Sequence, residues 1–427
     1  MTRTGYLGEL LSQLVERRFV PLRGTSSKPI DEMCADLLAG EGEVTTMRLA
    51  REILAAYGRM DMDARRAFFA QLAGNHDIDP DAVAQAALEY GAAPDARHLR
   101  HLLTLAEPRR QELLRRLNHA PGATVELVRM RRDLLGFVRD MPELARVDLD
   151  FAHLFQSWFN RGFLVLQQVT WDSPARLLEK IIEYEAVHAI GDWEALRARV
   201  DPKDRRCFAF FHPAMPDEPL IFVEVALVKG VPGSVQGLLA HDHTPMDPAQ
   251  TDTATFYSIS NCQEGLKGIS FGNSLIKQVV SLLRQELPHL RQFVTLSPIP
   301  GLSGWLRELA DAGDEAAKAV LAAPRSADEA LQTTLRRLAA RYLLDAKDKR
   351  ARPRDPVARF HLNNGALVHE IHAQADLSER GLAQACGAMV NYMYDLDQVE
   401  TNHENYATQG KIAATRSVRQ LARAALD

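Results

Sequence analysis

TFYSISNCQEGLKGISFGNSLIKQVV, residues Thr255 to Val280, reads as a strand, a glycine-rich turn and a helix in succession. Thr255 to Ser260 is a strand-like run. The turn Gln263–Asn273 carries Gly265, Gly268 and Gly272. It leads into a helix predicted over Ser274 to Glu286, with Leu275, Val279, Val280, Leu282 and Leu283 at helical spacing. Working outward, Phe293–Leu296 follows as another strand, and Cys207–Phe211 and Leu220–Val228 precede it. Further upstream, Phe163–Leu166 is a short apolar run and Ser173-Pro174 opens a helix. Strands alternating with helices predict an α/β or α+β layered fold for the chain from residue 159 onward.

The residues before Trp158 have a different texture. Asp63 is placed to cap a helix carrying Phe68, Phe69 and Leu72, which Gly74-Asn75 ends. Leu99, Leu102, Leu103 and Leu105 mark a second helix that Pro108 interrupts, and Thr124 is placed to cap a third bearing Leu127, Leu134, Leu135 and Val138. The expectation is an all-helical bundle domain over residues 1–158 and a catalytic domain over 159–427. Within the latter, Asp314 to Ala346 reads as two helices divided by Pro324, and Lys347 to Pro356 as a charged surface loop.

A length of 427 residues exceeds one ordinary core, which agrees with two domains. The net charge of −5 argues against a dedicated nucleic-acid binder, while leaving room for a local basic pocket that takes a phosphorylated ligand. Cys34, Cys207, Cys262 and Cys386 form no CxxC pair, so neither a disulfide framework nor a zinc site is expected, and reduced thiols fit a cytoplasmic setting. No run approaches the ~20 apolar residues of a membrane span.

Three stretches have chemistry written into them. The Gln263–Asn273 turn precedes a helix N-terminus, where free amides and the helix dipole suit a diphosphate; the plainer reading is an ordinary strand-to-helix connection with exposed Lys267 and Lys277. In Leu296-Ser297-Pro298-Ile299-Pro300-Gly301, two prolines hold Ser297 in a fixed backbone at a strand end, either to donate to an oxyanion or to cap the helix of Trp305. In Phe360-His361-Leu362-Asn363-Asn364-Gly365-Ala366, a loop or strand entry presents His361, either for proton transfer or as a buried, satisfied imidazole. His241-Asp242-His243 and the pair His369 and His372 lack a metal-ligand frame. Glu224, inside an apolar run, is either a pocket carboxylate or edge-facing, and Asp376, Arg380 and Asn391 read as supporting contacts near a last helix.

TFYSISNCQEGLKGISFGNSLIKQVV (Thr255–Val280), LSPIPG (Leu296–Gly301) and FHLNNGA (Phe360–Ala366), with MPDEPLIFVEVAL (Met215–Leu227) and the DLSERGLAQACGAMVNYMY run within Ala375–Tyr394, resemble malonyl-CoA decarboxylases over most of Leu166 to Tyr406. The resemblance implies a helical N-terminal domain followed by a catalytic domain of the GNAT-like acetyltransferase fold. It implies conversion of malonyl-CoA to acetyl-CoA and CO2 with no metal or organic cofactor, and a homo-oligomer, dimer or tetramer. Carried over by motif, the catalytic pair is Ser297 and His361, and the coenzyme A loop is Lys267, Gly268, Ile269, Ser270, Phe271, Gly272 and Asn273. Asn363 or Asn364 is the candidate to orient His361. Against the acyltransferase signature Q/R-x-x-G-x-G/A, Lys267 replaces Gln/Arg and Ser270 the first glycine, which leaves the geometry of the diphosphate site open. Two other readings remain: an acyl-CoA-dependent acetyltransferase on the same fold, and a non-catalytic acyl-CoA-binding protein.

Overall fold

The computed structural model describes residues 28–240, 243–269 and 275–424. Close contacts divide the chain into two compact units. One holds the chain up to Phe163 together with His212–Pro216 and Gln263–Ser270; the other holds the remainder.

The described part of the first unit is helical: Ile30–Ala39, Glu43–Arg59, Met62–Asn75, Pro80–Ala92, Ala96–Ala106, Arg109–Leu117, Ala123–Phe137 and Ala145–Trp158. Aromatic rings at its centre explain why these amphipathic segments collapse together. Phe69, fully buried, lies 5.9 Å from Tyr57, 6.2 Å from Phe137 and 6.4 Å from Phe151, ring centre to ring centre. Two capping expectations are corrected. Asp61, not Asp63, accepts the Ala64 amide at 2.8 Å, because it stands one residue before the first helical one. Thr124 is not a cap. It lies inside the helix that begins at Ala123, buried, and its hydroxyl donates to Asn118 Oδ1 at 2.8 Å.

The second unit is built on an eight-stranded sheet: β1 Val165–Val169, β2 Arg205–Phe211, β3 Ile221–Val228, β4 Thr253–Asn261, β5 Gln292–Thr295, β6 Ser297–Pro298, β7 Leu367–His372 and β8 Met389–Met393. β1 to β4 form an antiparallel meander. β5 returns parallel to β4 after the helix Leu275–Glu286, whose Ile276, Val279, Val280 and Leu283 are buried. β8 then pairs antiparallel with β5, β6 and β7. An antiparallel meander joined through a helix to a parallel neighbour, then closed by antiparallel strands, is the GNAT-like layout that the resemblance implied.

The register of β4 and β5 positions the site. Only Thr253 to Phe256 pair with β5, opposite Gln292 to Thr295, while β4 itself runs on to Asn261 along β3. Beyond Phe256 the two parallel strands no longer share hydrogen bonds, and the sheet opens.

Candidate active site

The opening is a cavity of about 250 Å³. Val223, Phe256, Ile259, Leu275, Ile276 and Leu296 form apolar walls, with Tyr257, Asn261, Ser297 and His361 as polar groups. No Asp, Glu, Lys or Arg stands among its described lining residues. Ligands in α/β sheets enter beyond the carboxyl ends of strands, and here that end is where β4 and β5 part.

Ser297 and His361, 64 residues apart in sequence, meet in this cavity. Ser297 Oγ lies 3.1 Å from His361 Nε2 and 2.8 Å from Thr295 Oγ1. Ser297 is on β6, paired with Val390 of β8, and does not cap the helix Leu302–Asp311. On the far side of the imidazole, Nδ1 lies 2.8 Å from the Tyr394 hydroxyl. Tyr392 stacks on the ring, 4.5 Å between centres and 24° between planes. All of these groups are buried. Burial alone pushes the His361 imidazole down to about 3, so the resting ring is neutral. The same burial holds the Tyr392 and Tyr394 phenols well above their ordinary range.

Two expectations about His361 are corrected. Its motif is neither loop nor strand entry but the helix Pro356–Asn363, and Tyr394 rather than an asparagine bonds Nδ1. Asn364 instead donates from Nδ2 to the Phe360 carbonyl at 2.7 Å, closing the helix end. The reading of Lys347 to Pro356 as a charged loop also overlooks how that helix starts. Asp355 accepts the Val357 and Ala358 amides, each at 2.9 Å, with Pro356 at the first helical position. Asp-Pro before an apolar segment is a helix-start signal, and the sequence carries it here. The carboxylate also lies 3.5 Å from the Gly301 amide, so one buried side chain joins the Ser297 turn to the His361 helix. Burial outweighs these amide bonds and pushes the Asp355 carboxyl up to about 6.

Of the glycine-rich loop, Lys267, Gly268 and Ile269 are described, whereas Ser270, Phe271, Gly272 and Asn273 lie outside the described residues. Lys267 is exposed, Ile269 is buried, and Gly268 has the left-handed φ of 82° that favours glycine. The Lys267 and Ile269 amides are not free for a ligand: they donate to the Glu264 and Leu266 carbonyls at 3.0 Å. Arg131, buried in the helix Ala123–Phe137, donates to the Gly265 carbonyl at 2.7 Å and the Lys267 carbonyl at 3.0 Å. Gly265 itself is packed so closely that a Cβ there would sit 1.9 Å from the Val128 carbonyl oxygen. Sequence reasoning gives Arg131 no such part, since an arginine at a helical position carries no local signal of a loop 134 residues away.

The remaining described polar candidates do not line this cavity. Glu224 is neither edge-facing nor a wall of the cavity. It is fully buried on β3, 3.0 Å from Arg199 Nη1, and burial pushes it up to about 8 against the pull of that guanidinium. His243 bonds Asp204 Oδ2 at 2.7 Å, and His372 bonds Asn391 Oδ1 at 2.5 Å. His241 and Asp242 lie outside the described residues. Asn391 sits on β8 and donates from Nδ2 to the Thr295 carbonyl at 2.9 Å and the Pro232 carbonyl at 3.1 Å. Among the described residues no three His, Cys, Asp or Glu side chains are grouped to hold a metal ion, and no helix is long and apolar enough to cross a membrane.

The chain resembles known proteins along its length. The family description "Malonyl-CoA decarboxylase C-terminal domain" matches residues 162–427, and "Malonyl-CoA decarboxylase N-terminal domain" matches 76–159. The mitochondrial malonyl-CoA decarboxylase of Rattus norvegicus is 32% identical, over 98% of this chain and 92% of the relative. The crystal structure of malonyl-CoA decarboxylase from Rhodopseudomonas palustris is 48% identical, with a TM-score of 0.87 over 92% of this chain and 98% of that one. That from Agrobacterium vitis is 45% identical, also at 0.87, over 92% and 100%. Fold and similarity together make the chain an enzyme of the carboxy-lyase class. It belongs to the malonyl-CoA decarboxylase family.

Proposed function

We propose that this enzyme converts malonyl-CoA to acetyl-CoA and CO2, with Ser297 and His361 as its catalytic pair and no metal or organic cofactor. The observation that carries the reading is the 3.1 Å approach of Ser297 Oγ to His361 Nε2 in the cavity where β4 and β5 separate. The chemistry asks little else of the protein. The bond between C2 and the carboxylate breaks, and its electron pair moves into the thioester carbonyl as an enolate. CO2 leaves, and C2 takes one proton. Ser297 contacts the malonyl carboxylate or the thioester and shares a proton with His361, whose protonated ring stabilises the oxyanion that develops beside it. His361 delivers the proton from Nε2 and recovers it from water.

The neutral resting ring fits this sequence of events. An incoming malonyl carboxylate brings negative charge next to a buried imidazole and so favours its protonated form. Loss of CO2 then moves that charge onto the enolate beside the proton donor. Lys267, Gly268, Ile269, Ser270, Phe271, Gly272 and Asn273 are retained as the coenzyme A loop. Its support is their place immediately before the helix whose Leu275 and Ile276 line the cavity.

We further infer that residues 1–158 are a support and oligomerisation domain and 159–427 the catalytic domain, in a homo-oligomer. The helix Ala96–Ala106 buries none of its residues, and Leu88, Leu99 and Leu103 are exposed, which leaves apolar surface for a second copy. Four buried, free cysteines suit a cytoplasmic setting.

The test is acetyl-CoA formation and CO2 release from malonyl-CoA, with a metal chelator and no acceptor amine. The expected result is one acetyl-CoA per CO2 at undiminished rate. Binding without turnover, or acetyl transfer only when an amine is added, contradicts the proposal.

A further inference from the structure

Ser297 has one hydroxyl hydrogen and two acceptors within reach. One is His361 Nε2 at 3.1 Å and the other is Thr295 Oγ1 at 2.8 Å. The choice between them decides which imidazole nitrogen carries the proton. A hydrogen donated to Nε2 requires that nitrogen to be bare, and the ring proton then sits on Nδ1, facing Tyr394. A hydrogen donated to Thr295 leaves Ser297 Oγ free to accept from Nε2–H, on the cavity side.

Two features favour the second arrangement. The Tyr394 hydroxyl is buried against Nδ1 at 2.8 Å, and a bare Nδ1 gives its hydrogen an acceptor. Thr295, fully buried on β5, is held from both ends by β8. Its Oγ1 accepts the Tyr392 amide at 3.2 Å, and its carbonyl accepts Asn391 Nδ2 at 2.9 Å. Once the ring is protonated, both nitrogens carry hydrogens, and of the two acceptors only Thr295 is left for Ser297. The groups around the ring are Ser297 and Thr295 from β6 and β5, Tyr392 and Tyr394 from β8 and the residue just beyond it, and Phe360 beside it on its own helix.

We propose that Thr295 is a positioning residue of the Ser297–His361 pair: its hydroxyl oxygen takes the Ser297 hydrogen and so keeps the His361 proton on Nε2, the nitrogen that faces the cavity. This rests on the Ser297–His361 reading and adds a second hydroxyl to it. Without Thr295 Oγ1, the Ser297 hydrogen turns to Nε2 and stabilises the bare nitrogen, which makes His361 harder to protonate.

The test compares Thr295→Val, which keeps the shape, with Thr295→Ser, which keeps the hydroxyl, in the full chain and beside Ser297→Ala. Thr295→Val is expected to lower kcat about 10–100-fold with KM changed less than about twofold. The alkaline fall of its kcat–pH profile moves to lower pH, because protonated His361 is lost sooner as pH rises. Thr295→Ser is expected to recover kcat to within a few-fold of the parent. A Thr295→Val enzyme with parental kcat and pH profile, beside an inactive Ser297→Ala, overturns the role of Thr295 alone. So does a Thr295→Ser enzyme as impaired as the valine variant. Full activity in Ser297→Ala removes the underlying pair, and this proposal with it.

Discussion

His361→Ala and Ser297→Ala are each expected to lower kcat for malonyl-CoA decarboxylation by two or more orders of magnitude, within the ~10²–10⁴ range of general acid–base catalysis. Folding is expected to survive both changes. Ser297→Ala removes a hydroxyl from a strand whose pairing with Val390 is made by backbone. His361→Ala leaves the Tyr394 hydroxyl without its partner, at a cost of ~1–3 kcal/mol. The double variant is expected to be little worse than the poorer single one, because a hydroxyl and an imidazole acting on one proton form a single unit. Steady-state kinetics on the purified, folded variants check this. Full activity in either single variant contradicts the proposed chemistry.

The second large effect is on stability. Gly365→Ala is expected to cost about 2–4 kcal/mol, combining left-handed backbone strain with overpacking. Gly365 has a φ of 82°, and a Cβ there would lie 2.0 Å from the Val399 carbonyl oxygen. The turn it makes follows directly on the helix that carries His361, so a backbone shift is passed to the imidazole. Gly410 is the control. Its φ is 64°, but nothing lies within 4 Å of where a Cβ would stand, so Gly410→Ala meets only the conformational strain. Chemical denaturation is expected to show a clearly lower midpoint for Gly365→Ala than for Gly410→Ala. Equal midpoints contradict the close approach to Val399.

Parts of this molecule are legible residue by residue. β2 and β3 stand out in the sequence near their true bounds because central strands buried on both faces are largely apolar, as in Ile221–Val228, which only Glu224 interrupts. β8 does not. It is five residues long, and Asn391 breaks its apolar run. That asparagine turns its amide to the Thr295 and Pro232 carbonyls, a use no local pattern announces. β7 is hidden because His369, Glu370 and His372 look like a polar segment. His361 reads as a loop residue because Asn363-Asn364-Gly365 resembles a turn, when those residues close a helix.

The site divides in the same way. Ser297 is legible near a strand end, since the prolines that follow it, Pro298 and Pro300, speak about their own neighbourhood. Its meeting with His361 is a tertiary event across 64 residues, and spacing carries no trace of it; the resemblance supplies that expectation. Tyr394, 33 residues beyond His361, looks like core packing because a tyrosine among apolar residues usually is.

The most direct measurement is a crystal structure of the enzyme with a malonyl-CoA analogue whose carboxylate is replaced by a sulfonate that cannot leave. The expected result places the acyl group in the cavity between β4 and β5, with Ser297 Oγ and His361 Nε2 each within about 3 Å of its oxygens or C2. An acyl group bound elsewhere, with the Ser297–His361 cavity empty, contradicts the account.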